Sequence, residues 1–179
     1  ATLSLAGGEY SFRGIMDRID RRDDLLHILD YKTGSLKLHD GSLWGDILYF
    51  RRIESLFAAL RQTQTGGGYE PDAQMLEDMD ALFEELRPRL SSLQLPCYVS
   101  MAVGSGLGPV GDAALVELRN AGREYPLFGG LVDEDLAEAI GYCHAALSLV
   151  LLHMRHAPSF TARPDRHCDW CPYASLCAG

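Results

Sequence analysis

Two apolar runs open the chain. Tyr10–Asp20 carries Phe12, Ile15, Met16 and Ile19, and Leu25–Tyr31 carries Leu25, Leu26, Ile28 and Leu29. The cluster Arg21-Arg22-Asp23-Asp24 stands between them. Short apolar runs split by a polar cluster predict two strands joined as a hairpin. Beyond Gly34 the spacing turns helical. Leu43, Ile47, Phe50, Ile53, Leu56, Phe57 and Leu60 predict a helix capped by Ser42. A glycine-rich loop, Gln62–Gly68, follows. Asp72 then caps a second helix running through Met75, Met79, Leu82 and Leu86 to about Leu90, kinked or ended by Pro88. Ser92 caps a third helix that holds Gln94, Pro96 and Tyr98 in its first turns. Asp112–Arg119 and Arg123–Phe128 predict two strands around the turn Asn120-Ala121-Gly122. Val132–Met154 predicts a long helix, acidic at its start and basic at its end.

This order predicts one α/β domain over residues 1–179, with a mixed central sheet flanked by helices. The helical pair over about 42–90 is longer than such a core needs and reads as an insertion.

Composition narrows the class. Hydrophobic residues make up 47% of the chain and charged residues 23%, as in globular proteins. The longest apolar run, Ala145–Leu152, is too short to span a bilayer, so no membrane partner is expected. The five cysteines are an odd number, and three lie in the tail, 165–179. That spacing suits a metal in a reducing, cytoplasmic setting rather than a secreted disulfide framework. The net charge of −9 argues against general affinity for nucleic acid. Locally the picture reverses, because Arg13, Arg18, Arg21, Arg22, Lys32 and Lys37 make the first hairpin basic. The acid gathers in Glu70–Glu85 and Asp133–Glu138.

The candidate chemistry follows from strand geometry. Side chains two apart share a face, so Asp30 and Lys32 point the same way. An even loop pairs odd positions with even ones and sets Asp17 opposite Ile28, diagonal to Asp30. Diagonal neighbours lie roughly 7–8 Å apart at the backbone. Two carboxylates so placed reach one hard cation such as Mg²⁺. Asp and Lys on a hairpin are most often solvated charges. Here they are embedded in the apolar runs ILDYK and IMDRI, where burial demands a partner. The glycines of Gly104–Gly111 are a weak phosphate-loop signal, since no Gly-Lys-Ser/Thr follows. His144 and His153 read as helix-surface or helix-end residues.

Four motifs in order carry a resemblance. They are Gly14-Ile15-Met16-Asp17-Arg18-Ile19-Asp20, Asp30-Tyr31-Lys32-Thr33-Gly34, Gln94-Leu95-Pro96-Cys97-Tyr98 and Cys168-x2-Cys171-x5-Cys177. Together they resemble the nuclease domain of RecB/AddB-type proteins, within the PD-(D/E)xK nuclease superfamily, over almost the whole chain. The resemblance implies a restriction-endonuclease-like core and a Mg²⁺- or Mn²⁺-dependent exonuclease hydrolysing DNA. It implies a parent helicase–nuclease that processes double-strand breaks, with a helicase domain or subunit as partner. Asp17, Asp30 and the backbone carbonyl of Tyr31 would hold the metal. Lys32 would position the attacking water or stabilise developing charge, and Gln94 and Tyr98 would orient the lysine and the DNA.

An upstream helix in the resembled family adds a further acidic or His ligand. An upstream cysteine completes a [4Fe–4S] cluster on the residues matching Cys168, Cys171 and Cys177. Neither precedes Tyr10, so the chain is expected to be the C-terminal part of a longer one. Two alternatives stand beside this reading. His167 would complete a Zn²⁺ site in the tail. Otherwise the domain is a catalytically inactive DNA-binding or structural module stapled by its Cys-rich metal site.

Overall fold

The computed structural model describes residues 1–5, 8–34, 36, 38, 41–65, 68–157 and 166–177, without the side chains of 65, 68, 166, 167, 176 and 177. In chain order the elements are β1 (Thr2–Leu5), β2 (Gly8–Ser11), β3 (Arg18–Arg22), β4 (Leu25–Lys32), α1 (Ile47–Gln62), β5 (Gln64–Thr65), β6 (Gly68–Tyr69), α2 (Ala73–Leu86), α3 (Gln94–Ser105), β7 (Val110–Glu117), β8 (Arg123–Pro126), α4 (Asp133–His156) and α5 (Ala174–Cys177). The central sheet runs β3-β4-β7-β8. Its middle pair β4–β7 is parallel and both flanking pairs are antiparallel, which makes the sheet mixed as expected.

The first apolar run is not one strand. Gly8–Ser11 turns back onto β1 in a separate two-stranded sheet, with Tyr10 opposite Leu3. Pairing with β4 begins only at Arg18. Gly14 explains part of the break, because a Cβ there would stand 3.0 Å from the Tyr98 ring and 3.6 Å from Met101. Without a side chain the backbone passes across α3 instead of continuing the ladder.

The hairpin turn is also tighter than expected. Asp23 and Asp24 take left-handed φ values of 49° and 66° and form a two-residue loop. Aspartate tolerates that region, and the right-handed strand twist favours such turns. Shortening the loop from four residues to two moves the register by two and keeps its parity. Ile19 therefore faces Ile28 and Arg18 faces Leu29, so the next step sets Asp17 against Asp30 rather than Ile28.

The core lies on one face of the sheet. Ile28, Ala113 and Leu115 pack there with Phe50, Ile53, Leu86, Val99, Cys143 and Leu149 from the four long helices. Phe50 stacks on Tyr142 at 4.1 Å between centroids, which locks α1 to α4. Leu29, Ala114 and Val116 form a smaller cluster on the opposite face, with Tyr31 against it. α4 is long and apolar enough to cross a membrane by length and composition alone. In this fold Ala139, Cys143, Ala146 and Leu149 bury that surface in the core. His153 lies in the last turn of α4, as expected of a helix-end residue, with its ring turned inward. It stacks on Phe83 at 3.8 Å, with Nδ1 3.0 Å from Asp80 Oδ1, which joins α4 to α2. His144 is half-buried with Nδ1 3.4 Å from Ser100 Oγ, and burial lowers its pKa.

The helix starts depart from expectation at two places. Asp72 caps α2 by accepting the Met75 amide at 2.9 Å. The N-cap position of α3 is Leu93 rather than Ser92, and Ser92, one residue earlier, accepts the Gln94 amide at 3.1 Å. α1 is capped by Asp46 rather than Ser42, because a 3₁₀ turn at Leu43–Gly45 intervenes. Asp46 accepts the Tyr49 amide at 3.0 Å and pairs with Arg89 at 2.9 Å. The amide first, then Arg89, holds its carboxyl below the ordinary range. A depressed folded pKa contributes stability that is present above the unfolded carboxylate value and lost as pH falls through the folded one. Asp46→Ala is therefore expected to cost about 1 kcal/mol near neutral pH. The difference from wild type should shrink below about pH 4. Urea denaturation of both proteins at the two pH values checks this.

Candidate active site

β4 carries the centre of the site. Its residues are half to fully buried, so Asp30, only 2% exposed, is a carboxylate inside the protein and needs compensation. Lys32, two residues on and on the same face, supplies it with Nζ 2.5 Å from Asp30 Oδ2. α3 then reaches down with Gln94. Its Nε2 donates to Asp30 Oδ1 at 2.8 Å, and its Oε1 accepts from Lys32 Nζ at 2.8 Å. One amide thus bridges acid and base. Tyr98, one helical turn later, accepts from Gln94 Nε2 at 3.0 Å and donates to the Ile15 carbonyl at 2.7 Å.

Asp17 enters from the other side. It sits at the bend just before β3, is exposed, and accepts the Tyr31 amide through Oδ2 at 2.8 Å. That amide lies beyond the last ladder pair of β3 and β4, so a side chain takes up a donor that the sheet leaves over. In an antiparallel ladder the N–H and C=O of one residue point to the same neighbour. The Tyr31 carbonyl therefore points towards the Asp17 side. Asp17, Asp30, Lys32, Gln94, Tyr98 and the Tyr31 backbone are linked by these contacts at the C-terminal end of β4.

A divalent cation fits this donor set. Apart from its contact with Lys32, Asp30 Oδ2 is buried with no hydrogen-bond partner. Asp17 keeps one oxygen clear of the Tyr31 amide. Two carboxylates and a carbonyl are hard oxygen ligands of the number Mg²⁺ uses when it retains several waters. No group of three or more His, Cys, Asp or Glu side chains able to hold a metal ion occurs among the described residues.

The basic hairpin divides in two. Arg18 and Arg22 lie on the sheet face opposite Asp30. There Arg18 bonds Asp20 at 2.6 Å, and Arg22 bonds Glu124 at 2.8 Å. Glu124 and Asp20 in turn have lowered pKa values, each chiefly through its arginine. Arg21 lies on the Asp30 face and donates to the Asp24 carbonyl at 3.2 Å. Arg13 is exposed in the segment leading to Asp17. Lys37 lies outside the described residues.

In the tail, the Cys171 amide donates to the Cys168 carbonyl at 3.2 Å, closing the Cys-x2-Cys turn. The Tyr173 amide donates to Cys171 Sγ at 3.4 Å. The side chains of His167 and Cys177 lie outside the described residues. Cys97 and Cys143 sit apart from the tail, and burial raises both thiol pKa values.

Sequence reasoning missed the seating of Gly14 on the Tyr98 ring and the pinning of the Ile15 carbonyl by Tyr98. A glycine inside an otherwise apolar run was the available signal, since it marks a close backbone approach.

No curated protein and no solved structure matches the chain significantly. The family comparison does give a match, to the PD-(D/E)XK nuclease superfamily, over residues 2–48 and 70–178. That match takes in every one of the converging side chains and covers most of the sequence. The chain is therefore a member of the PD-(D/E)XK nuclease superfamily.

Proposed function

We propose that this domain hydrolyses phosphodiester bonds of DNA with Mg²⁺ or Mn²⁺ and acts as an exonuclease of the RecB/AddB type. The observation that carries the reading is the Asp30–Gln94–Lys32 triangle, with Asp17 bonded to the backbone amide of Tyr31 between Asp30 and Lys32. A cation held by Asp17, Asp30 and the Tyr31 carbonyl would supply a water of lowered pKa and screen phosphate charge. The chain's own groups do the rest. Gln94 fixes the Lys32 ammonium within reach of Asp30, so its positive charge is aimed before substrate arrives. A preorganised cation of this kind stabilises negative charge that develops on the phosphate oxygens. Tyr98 holds Gln94 and the chain leading to Asp17 in one arrangement.

The tail extends the proposal. The Tyr173 amide points at the Cys171 sulfur at 3.4 Å. Hydrogen bonds to sulfur tune iron–sulfur clusters. Cys168, Cys171 and Cys177 are proposed as three ligands of a [4Fe–4S] cluster in a longer helicase–nuclease, with the fourth cysteine from elsewhere in that protein.

The test uses the full-length protein, purified without oxygen. Linear duplex DNA should be degraded with Mg²⁺ and spared with EDTA. Covalently closed circular DNA should survive in both, because an exonuclease needs an end. Equal attack on the closed circle would overturn the exonuclease assignment. Zinc in place of iron in the purified protein would overturn the cluster.

A further inference from the structure

The Asp30 face of the sheet carries a second set of polar side chains. In the ladder Lys32 stands beside Glu117 of β7, and Glu117 stands beside Arg123 of β8. Ladder partners share a face, so the three form a row across one end of the sheet. Tyr125, two residues along β8, lies on that face as well. Its hydroxyl donates to Glu117 Oε2 at 2.9 Å and accepts from Asn120 Nδ2 at 3.4 Å. The Arg123 guanidinium lies over the Tyr125 ring, 5.2 Å from the centroid. Stacking of this kind orients the guanidinium plane and leaves its N–H fork open at the edge. Arg123 is exposed, and no carboxylate pairs with it among the described residues. Glu117, the carboxylate beside it in the ladder, bonds Tyr125 instead. The other arginines of the sheet are engaged. Arg18 and Arg22 pair with carboxylates on the far face, and Arg21 donates to the Asp24 carbonyl.

We propose that Arg123 is a substrate-contacting residue that binds a backbone phosphate near the scissile one, with Tyr125 and Glu117 as the positioning residues that aim it. The inference rests on the nuclease reading above and adds the path of the cleaved strand, across β4, β7 and β8. Neighbouring strands lie roughly 4.8 Å apart, which sets Arg123 roughly 10 Å from Lys32 at the backbone. A nucleic-acid strand laid along the row meets Lys32 at the scissile phosphate and Arg123 at a phosphate one or two nucleotides away. An arginine fork matches two oxygens of such a phosphate. In a chain of net charge −9, an unpaired guanidinium held in one orientation is a local attractor for that anion. Contacts of this kind fix the register of the strand without reading its sequence.

Linear oligonucleotide duplexes test this with the full-length protein in Mg²⁺. They are used intact or with one methylphosphonate, an uncharged linkage, moved along the strand. Arg123→Gln should raise KM about tenfold with kcat nearly unchanged, the size expected for one lost charge-assisted contact. Its affinity should also fall less steeply with salt, by about one in logarithmic slope. Arg123→Lys keeps the charge without the fork and should lie between the two. On wild type, a methylphosphonate at the contacted position should impose the same rise in KM, and on Arg123→Gln it should add nothing. An unchanged KM in Arg123→Gln would overturn the proposal. So would methylphosphonate penalties of equal size in both proteins at every position. If wild type fails to cleave, the nuclease reading falls by itself. The affinity of the same duplexes without divalent cation, read by fluorescence anisotropy, then still decides the contact.

Discussion

Asp30→Asn is expected to lower the rate of DNA hydrolysis by about a thousandfold or more while the protein still folds. Asparagine keeps the shape of the side chain, and Gln94 still offers it a hydrogen-bonding partner. What is lost is the negative charge. Asp30 is the buried member of the two carboxylates, and its Oδ2 has only the Lys32 ammonium beside it. A neutral amide there withdraws one of the two carboxylates proposed to hold the cation, and no group of three or more His, Cys, Asp or Glu able to hold a metal ion occurs among the described residues to replace it. Metal-assisted stabilisation of phosphate charge amounts to several kcal/mol, which corresponds to about three powers of ten in rate. Initial rates on linear DNA, measured alongside a cooperative thermal melt, check both halves of the expectation. A folded variant that cleaves within tenfold of wild type would remove Asp30 from the chemistry.

Lys32→Met is expected to lower kcat by about a hundredfold to a thousandfold with KM little altered. The thioether retains most of the stem and deletes only the ammonium. Lys32 bonds Gln94 Oε1 at 2.8 Å and lies 2.5 Å from Asp30 Oδ2, so it is aimed rather than loosely tethered. An interaction that strengthens only as charge develops appears in kcat, not in KM. The same variant has a second signature. Removing the ammonium leaves the Asp30 charge buried without its partner, which is destabilising. Without divalent cation, Lys32→Met should melt below wild type, and Mg²⁺ should narrow the gap by restoring positive charge beside Asp30. A gap that Mg²⁺ leaves untouched would speak against a cation bound at Asp30.

Much of this was legible in the residues, for physical reasons that differ by element. Asp30 and Lys32 share a face because strand periodicity is fixed at two. That parity survived even though the turn proved to be two residues and not four. The exact partner of Asp17 was not legible, because register depends on turn length, and Asp23-Asp24 carries no glycine to announce a tight turn. The single strand expected from Tyr10 to Asp20 failed for a tertiary reason. Gly14 and Tyr98 are 84 residues apart in sequence, and their contact pulls the chain out of the sheet. The Asp46 cap lay hidden behind Ser42, since both are good capping residues and only the 3₁₀ turn at Leu43–Gly45 separates them. The basic character of the hairpin was visible. Its division between two faces was not, because the pairing of Arg22 with Glu124 joins β3 to β8 across the sheet.

Mn²⁺ uptake, followed by electron paramagnetic resonance as free Mn²⁺ signal is lost, addresses the site without relying on any substrate. Wild-type protein should bind Mn²⁺ and release it to excess Mg²⁺. Asp17→Asn should bind it weakly and Asp30→Asn more weakly still, since each gives up one of the two carboxylates proposed to hold the metal, and Asp30 is the buried one. Uptake by both variants equal to that of wild type would contradict a metal centre at Asp17 and Asp30, and with it the proposed nuclease mechanism.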